Sequence, residues 1–347
     1  MGRLKVTLPG AFTYEISIGD GIWREVEDFA KGFSKVFIVT DENVENLYGK
    51  RLPFPRFVMP PGEGSKTWRQ AELLLKQMSR ADLDRQSLII ALGGGVVGDL
   101  AGFAASIFLR GIAYSQIPTT LLAQVDSAVG GKTAVNLPWG KNLIGSFHQP
   151  RAVFIDPAVL KTLDKREITS GLGEVLKYGV IAGPKFFSDV TANLEGVYNA
   201  DPKVCGPIIR QCLEIKSEIV RRDEHDLGLR KILNFGHTFG HALEAAADFT
   251  AYKHGEGVLN GMLLEARLSF DLGILPRKEY EKIKTGLEKV ELKGDFKKPP
   301  FGKIKGALLK DKKNRRGQIS FILPKRLGEM EEVFLGVKEV GQWWQKI

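Results

Sequence analysis

Apolar and polar positions change their period near residue 165, and that change predicts two halves. Before it, residues 35–40, 57–59, 87–92 and 152–155 are short, largely apolar runs of strand length, and residues 114–117 read as a further strand. Residues 67–81 have helical periodicity, with Leu73, Leu74 and Met78 expected on one face, and residues 96–109 read as a buried helix. Strands alternating with helices predict a parallel sheet wrapped by helices. Residues 133–136 and 142–144 flank Leu137-Pro-Trp-Gly140 and read as a hairpin. After residue 165 the period is helical, over residues 167–181, 186–197, 203–222, 230–248, 258–272 and 278–290. The expectation is an α/β domain over residues 1–165 and an all-helical domain over residues 166–347.

Composition narrows the class. Apolar residues are 43% and charged residues 26%, ordinary for a soluble globular protein. No apolar run has the length of a membrane span. The start reads straight into strand-like sequence without a secretory apolar region, so a cytoplasmic protein is expected. Cys205 and Cys212 are the only cysteines. On one helix their Cα atoms would be about 10 Å apart, too far for a disulfide, and both are expected to pack. The net charge is +9, from 50 basic and 41 acidic residues. No basic block with interleaved aromatics accompanies it, so nucleic acid is not expected. The densest run, Lys310-Asp-Lys312-Lys313-Asn-Arg315-Arg316, reads either as a solvated loop or as part of a receptor for a small polyanion.

Three of the five histidines stand close together, in Asn234-Phe-Gly-His237-Thr-Phe-Gly-His241-Ala-Leu-Glu244 and Lys253-His254-Gly-Glu256. Imidazole is both a metal ligand and an acid/base near neutral pH. His237 and His241 are i,i+4 and share a helix face. Thr238 stands where a metalloprotease needs Glu, so that class is excluded. Gly171-Leu-Gly-Glu174-Val-Leu-Lys177-Tyr-Gly179 offers a carboxylate. One Glu and two His with an open position is a catalytic zinc pattern. Spacing leaves open whether His241 or His254 completes it. Gly93-Gly-Gly95-Val-Val-Gly98-Asp99 follows a strand and opens a helix, the setting for a bound phosphate. No acidic residue follows at the usual distance, so Asp41, ending an earlier strand, is the candidate for a ribose hydroxyl. Arg110, Lys132, Lys141, Asn142, Lys216, Arg230 and Asn234 are candidate anion receptors.

Taken in order, these motifs resemble those of the 3-dehydroquinate synthase family. The match runs from about residue 35 to 325 and includes Pro118-Thr-Thr-Leu-Leu-Ala-Gln-Val-Asp-Ser127, Gly130-Gly-Lys-Thr-Ala-Val-Asn136, Gly140-Lys-Asn142 and Asp311-Lys-Lys313. The resemblance implies a Rossmann-like NAD-binding half and a helical metal-binding half. It implies that Glu174, His237 and His254 hold a divalent metal, usually Zn2+ with Co2+ as an alternative. His241 is thereby left for substrate phosphate and proton handling. It implies Lys132, Asn142, Lys177 and Arg110 around the phosphate, Arg110 reaching across a homodimer interface. Lys216, Arg230, Asn234 and Lys312 would receive the substrate carboxylate, with Asp126 and Lys141 near nicotinamide and substrate. Asp41, Glu63, Lys66, Gly95, Asp99, Thr119, Thr120, Lys132, Lys141 and Thr162 would contact NAD. Asp226 stands where the family pattern has Glu.

The implied reaction converts 3-deoxy-D-arabino-heptulosonate 7-phosphate to 3-dehydroquinate and phosphate, in the shikimate pathway. It runs through transient oxidation, phosphate elimination, re-reduction and aldol closure. Two enzyme readings compete, another sugar phosphate cyclase and a glycerol-dehydrogenase-like polyol dehydrogenase. The lysines, arginine and asparagine assigned to a carboxylate argue against cyclases whose substrates lack one. A nucleotide-sensing or nucleic-acid-binding protein that uses the positive charge is the non-enzymatic alternative.

Overall fold

The computed structural model describes residues 2–8, 12–247, 251–292, 298–310, 314 and 317–347. The chain opens with β1 (Gly2–Thr7), β2 (Thr13–Ile18), α1 (Ile22–Ala30), β3 (Val36–Asp41), α2 (Glu42–Tyr48), β4 (Arg56–Met59) and α3 (Trp68–Arg80). It continues with β5 (Leu88–Gly93), α4 (Gly95–Ile107), β6 (Ala113–Pro118), β7 (Lys132–Leu137), β8 (Gly140–Phe147) and β9 (Ala152–Ile155). Then come α5 (Lys165–Ala182), α6 (Pro184–Ala192), α7 (Leu194–Tyr198), α8 (Pro202–Arg222), α9 (His237–Ala246) and α10 (His254–Asp271). The remainder is α11 (Arg277–Glu288), α12 (Phe301–Lys310), β10 (Gln318–Arg326), β11 (Glu329–Gly336) and α13 (Val337–Lys346). No helix among the described residues is long and apolar enough to cross a membrane.

Two compact units result, Met1–Leu163 with Ala200–His225, and Asp164–Asn199 with Asp226–Ile347. The first holds a seven-stranded sheet in the order β1-β2-β9-β6-β5-β3-β4. All neighbours are parallel except β1 and β2. Every residue of β5 is buried, as expected of a strand covered on both faces. On α3 the buried residues are Ala71, Leu74 and Met78, while Leu73 is exposed. Leu73 is about 100° around the helix from Leu74, whereas Ala71 returns to the same stripe. The expected hairpin is β7 paired antiparallel with β8.

A division at residue 165 would leave α8 with the helical half, but its contacts group it with the sheet. It packs on β1 and on the short turn Ala123–Ser127. Cys205 and Cys212 are buried on it, and burial pushes the Cys205 thiol up to about 11. The second unit is helical but not all-helical, because β10 and β11 form an antiparallel hairpin in it. Ile319, Phe321 and Leu323 of β10 pack with Phe239 and Leu243 of α9 and with Trp344 of α13.

The helix expected over residues 230–248 is broken. Leu229–Asn234 is a 3-10 turn, Gly236 is left-handed at φ 80°, and α9 starts at His237. Buried Glu265 on α10 accepts the N–H of Gly236 at 2.6 Å and of Phe239 at 3.2 Å. These bonds satisfy the first turn of α9 and stabilise the break. The stretch expected over 186–197 is likewise two helices, α6 and α7.

Candidate active site

In the helical unit α5, α9 and α10 approach so closely that only glycine fits at several contacts. A Cβ on Gly255 would lie 1.7 Å from the carbonyl of Ser170 on α5, and one on Gly261 1.9 Å from the carbonyl of Gly236. Glu174 follows Gly173, His237 follows Gly236 and His254 precedes Gly255, so each polar side chain departs from a point of backbone contact. The approach brings Glu174 Oε1 to 3.5 Å from His237 Nε2 and 3.3 Å from His254 Nε2.

Those separations test the donor set for a metal. Two donors about 2.0–2.1 Å from a tetrahedral zinc are about 3.3–3.4 Å from each other. The two Glu174 distances match two edges of such a tetrahedron, and one carboxylate with two imidazoles is suitable chemistry for zinc. His237 and His254 both lie beside Glu174 Oε1 at these distances. His241 is exposed, with its ring 5.3 Å from that of His237 and 5.7 Å from that of His254. All three histidines nevertheless offer nitrogens within 4.8 Å of one another.

The surroundings are strongly charged. Lys177 is fully buried and ion-pairs with Glu174 Oε2, opposite the histidines. Glu244, also buried, lies 3.0 Å from His254 Nδ1. Burial disfavours a charged His254 ring, but the bonds to Glu174 and Glu244 outweigh it and push its pKa up to about 10. Glu244 was not among the expected site residues, though His237, His241 and Glu244 at i, i+4 and i+7 lie along one stripe. Arg166 on α5 grips both oxygens of Glu256 at 2.7 and 2.8 Å, and Glu256 caps the Lys253 N–H at 2.8 Å. This clamp fixes the first turn of α10, where His254 is the first residue.

Arg230, buried, and Asn234, half-buried, lie on the 3-10 turn before Gly236, not on the helix of His237. Asn234 donates to the carbonyl of Lys231 at 3.0 Å. Asp226 has a left-handed backbone at φ 61°. Asp tolerates that conformation better than longer side chains, which gives its presence a local reason. Lys312 lies outside the described residues.

In the sheet unit the residues expected around NAD gather at carboxyl ends of strands, where open parallel sheets bind ligands. Asp41 ends β3, Gly93 ends β5, and Thr119 and Thr120 follow β6. Asp41 Oδ1 accepts the N–H groups of Asn43 and Val44, each at 3.0 Å, and caps α2. Gly95 begins α4, where a Cβ would meet Ser127 Oγ at 2.9 Å. Thr120 Oγ1 accepts the N–H of Ala123 at 3.2 Å, and Thr162 Oγ1 is 2.8 Å from the Tyr48 hydroxyl.

Lys66 is buried, ion-pairs with Asp99 and donates to Asn142 Oδ1 at 2.5 Å. Burial raises the pKa of Asp99 while Lys66 opposes the rise. Glu63 accepts from Asn136 Nδ2 at 2.7 Å. Lys216 donates to the carbonyl of Asp126 at 2.7 Å and to its Oδ1 at 2.6 Å. These two residues, expected at different parts of the substrate, thus meet each other. Lys132 opens β7, Lys141 and Asn142 follow Gly140 in β8, and Arg110 is exposed after α4 at φ 66°.

Both halves match known proteins. Residues 56–170 match the 3-dehydroquinate synthase N-terminal family model, and residues 171–314 the C-terminal one. A 3-dehydroquinate synthase of Alkaliphilus metalliredigens is 44% identical over 335 residues, 94% of each chain. One from a Thermoanaerobacter species is 46% identical over 316 residues, 88% of this chain and 89% of that one. A solved 2-deoxy-scyllo-inosose synthase, complexed with carbaglucose-6-phosphate, NAD+ and Co2+, has a TM-score of 0.89 and 25% identity, covering 99% of each chain. The 2-epi-5-epi-valiolone synthase of Streptomyces hygroscopicus with NAD+ and Zn2+ has a TM-score of 0.86 and 25% identity, again over 99% of each. A structure described as a "probable glycerol dehydrogenase" of Sinorhizobium meliloti, at 16% identity and a TM-score of 0.64, shares the fold alone. On two family models that together span most of its length, the chain belongs to the 3-dehydroquinate synthase family.

Proposed function

We propose that Glu174, His237 and His254 hold a divalent metal, zinc by preference. With NAD it serves the family's reaction, conversion of 3-deoxy-D-arabino-heptulosonate 7-phosphate to 3-dehydroquinate and phosphate. The observation that carries the metal assignment is the placement of Glu174 Oε1 at tetrahedral-edge distance from two imidazole nitrogens. NAD when bound supplies a reversible hydride acceptor, and the metal acidifies the hydroxyl to be oxidised.

The chain's own residues supply binding and proton control. Lys177 anchors Glu174 through Oε2 and serves as a cationic donor to substrate phosphate. Lys132 and Asn142 contribute from the β7–β8 hairpin, and Arg110 from the second copy of a homodimer. Arg230, Asn234, Lys216 and Lys312 receive the carboxylate, where a guanidinium can bond both oxygens. Asp126 releases Lys216 to the substrate and lies with Lys141 near the nicotinamide. Asp41, Glu63, Lys66, Gly95, Asp99, Thr119, Thr120 and Thr162 hold the dinucleotide. Oxidation to a ketone acidifies the neighbouring C–H. His241, exposed on the face it shares with His237, relays that proton as the phosphate leaves. Re-reduction, ring opening and aldol closure follow, with no net redox change. The enzyme works in the cytoplasm.

Incubation with the heptulosonate phosphate and NAD+ should release phosphate and dehydroquinate in equal amounts without accumulating NADH. Turnover of sedoheptulose 7-phosphate in its place would overturn the carboxylate assignment. Steady growth of NADH absorbance would point to a polyol dehydrogenase.

A further inference from the structure

Asn136 was not among the expected site residues, yet it ties two of the expected groups together. Its backbone N–H donates to the carbonyl of Lys66 at 2.7 Å, and it forms a parallel bridge with Thr67. Its Nδ2 donates to Glu63 Oε1 at 2.7 Å. Its Oδ1 accepts the backbone N–H of Asn142 at 2.9 Å. Asn142 is left-handed at φ 53°, a conformation that this bond helps to hold. Lys66 closes the loop, with one ammonium touching both Asn142 Oδ1 and Asp99. The turn Glu63–Ser65 and the tip of the β7–β8 hairpin are therefore braced into one body.

Only a side chain that donates in one direction and accepts in the other fits between a carboxylate and a backbone N–H. A primary amide does so; a carboxylate does not. We infer that Asn136 is a positioning residue coupling the dinucleotide segment to the hairpin tip, so that filling either site tightens the other. The inference rests on the proposed function, in which Glu63 and Lys66 contact NAD and Asn142 the substrate phosphate. A ligand that fixes Glu63 and Lys66 also fixes both bonds that set the Asn142 backbone and side chain. Such a coupling is reciprocal.

The test is calorimetric, on zinc-loaded protein. NAD+ is titrated with and without a carbocyclic phosphonate analogue of the heptulosonate phosphate, and the analogue with and without NAD+. Wild type should show each ligand tightening the other by about fivefold or more. Asn136→Asp keeps the size and the acceptor for Asn142, but sets a carboxylate against Glu63. Its coupling ratio should fall towards one. Adding Glu63→Gln reverses the donor of that bond and should restore the ratio, although Glu63→Gln alone weakens NAD+. The inference is overturned if Asn136→Asp keeps the wild-type ratio, or if it weakens both ligands and leaves their ratio unchanged. Absence of rescue in the double variant overturns it as well. A wild-type ratio of one with both ligands bound sinks the coupling alone. Wild type that binds no NAD+ sinks the proposed function and the coupling with it.

Discussion

Metal binding should expel a proton from His254, and its pH dependence should expose the charged surroundings of that ring. In the metal-free chain, burial opposes an imidazolium, but hydrogen bonds to Glu174 and Glu244 overcome it and the pKa reaches about 10. At neutral pH the ring is protonated, and a cation must displace the Nε2 proton to bind. Between pH 7 and 9 each unit weakens that competition about tenfold, so the apparent metal Kd should tighten about a hundredfold in all. An ordinary imidazole with a pKa of about 6.5 would give only about 1.3-fold between pH 7 and 8. The assay is competition with a chromophoric chelator for Co2+ across this range, with calorimetry in buffers of different ionisation enthalpy to count protons. A flat Kd above pH 7, or no proton released at pH 7.5, would refute the reasoning. The stability of the metal-free chain carries the same proton with a fixed sign. The folded pKa lies above the unfolded one, so the contribution is complete below about pH 6.5 and lost as pH rises through about 10. The metal-free thermal midpoint should fall across that window while the gain on adding metal grows. Glu244→Gln, which removes one of the two carboxylates, should flatten both trends.

Glu174→Gln should reduce metal content from one ion per chain to near none while preserving the circular dichroism spectrum. Denaturant titration should show a cost of about 3–5 kcal/mol, because fully buried Lys177 would face an uncharged amide. Wild-type metal content in that variant would refute the ligand assignment. Gly255→Ala should prevent metal binding and lower the thermal midpoint sharply, since its Cβ would lie 1.7 Å from the Ser170 carbonyl. Gly306→Ala in α12 meets nothing within 4 Å and should stabilise by about 0.4–1 kcal/mol; equal effects at the two positions would contradict the close-approach argument. Cys205, buried and with its thiol pushed up to about 11, should react with a disulfide reagent at pH 8 only as fast as the chain unfolds. Rapid labelling of the native protein would contradict that.

What could be read from the chain followed whether its cause was local. The apolar run at residues 152–155 is β9, and the run at 87–92 differs from β5 by one residue at each end, because a strand buried on both faces leaves a continuous apolar signature. The stop between Asn234 and His237 was not legible. Gly236 permits it, but the acceptor that stabilises it is Glu265, 29 residues away on another helix. The same distinction governs the three histidines. Their i,i+4 spacing made His237 and His241 the obvious pair, since spacing within a helix is all that a sequence displays. Glu174 reaches His237 and His254 from α5. That depends on Gly173 and Gly255 letting two backbones touch, a contact between segments far apart in sequence. Glycines beside candidate ligands on separate helices are thus a sequence-level sign that those helices converge. Here the sign points to Glu174, His237 and His254. It points equally to His241, which follows Gly240, a glycine whose Cβ would meet the Gly257 carbonyl at 2.9 Å. Glycine adjacency therefore brings all three histidines to the site, and their nitrogens lie within 4.8 Å of one another.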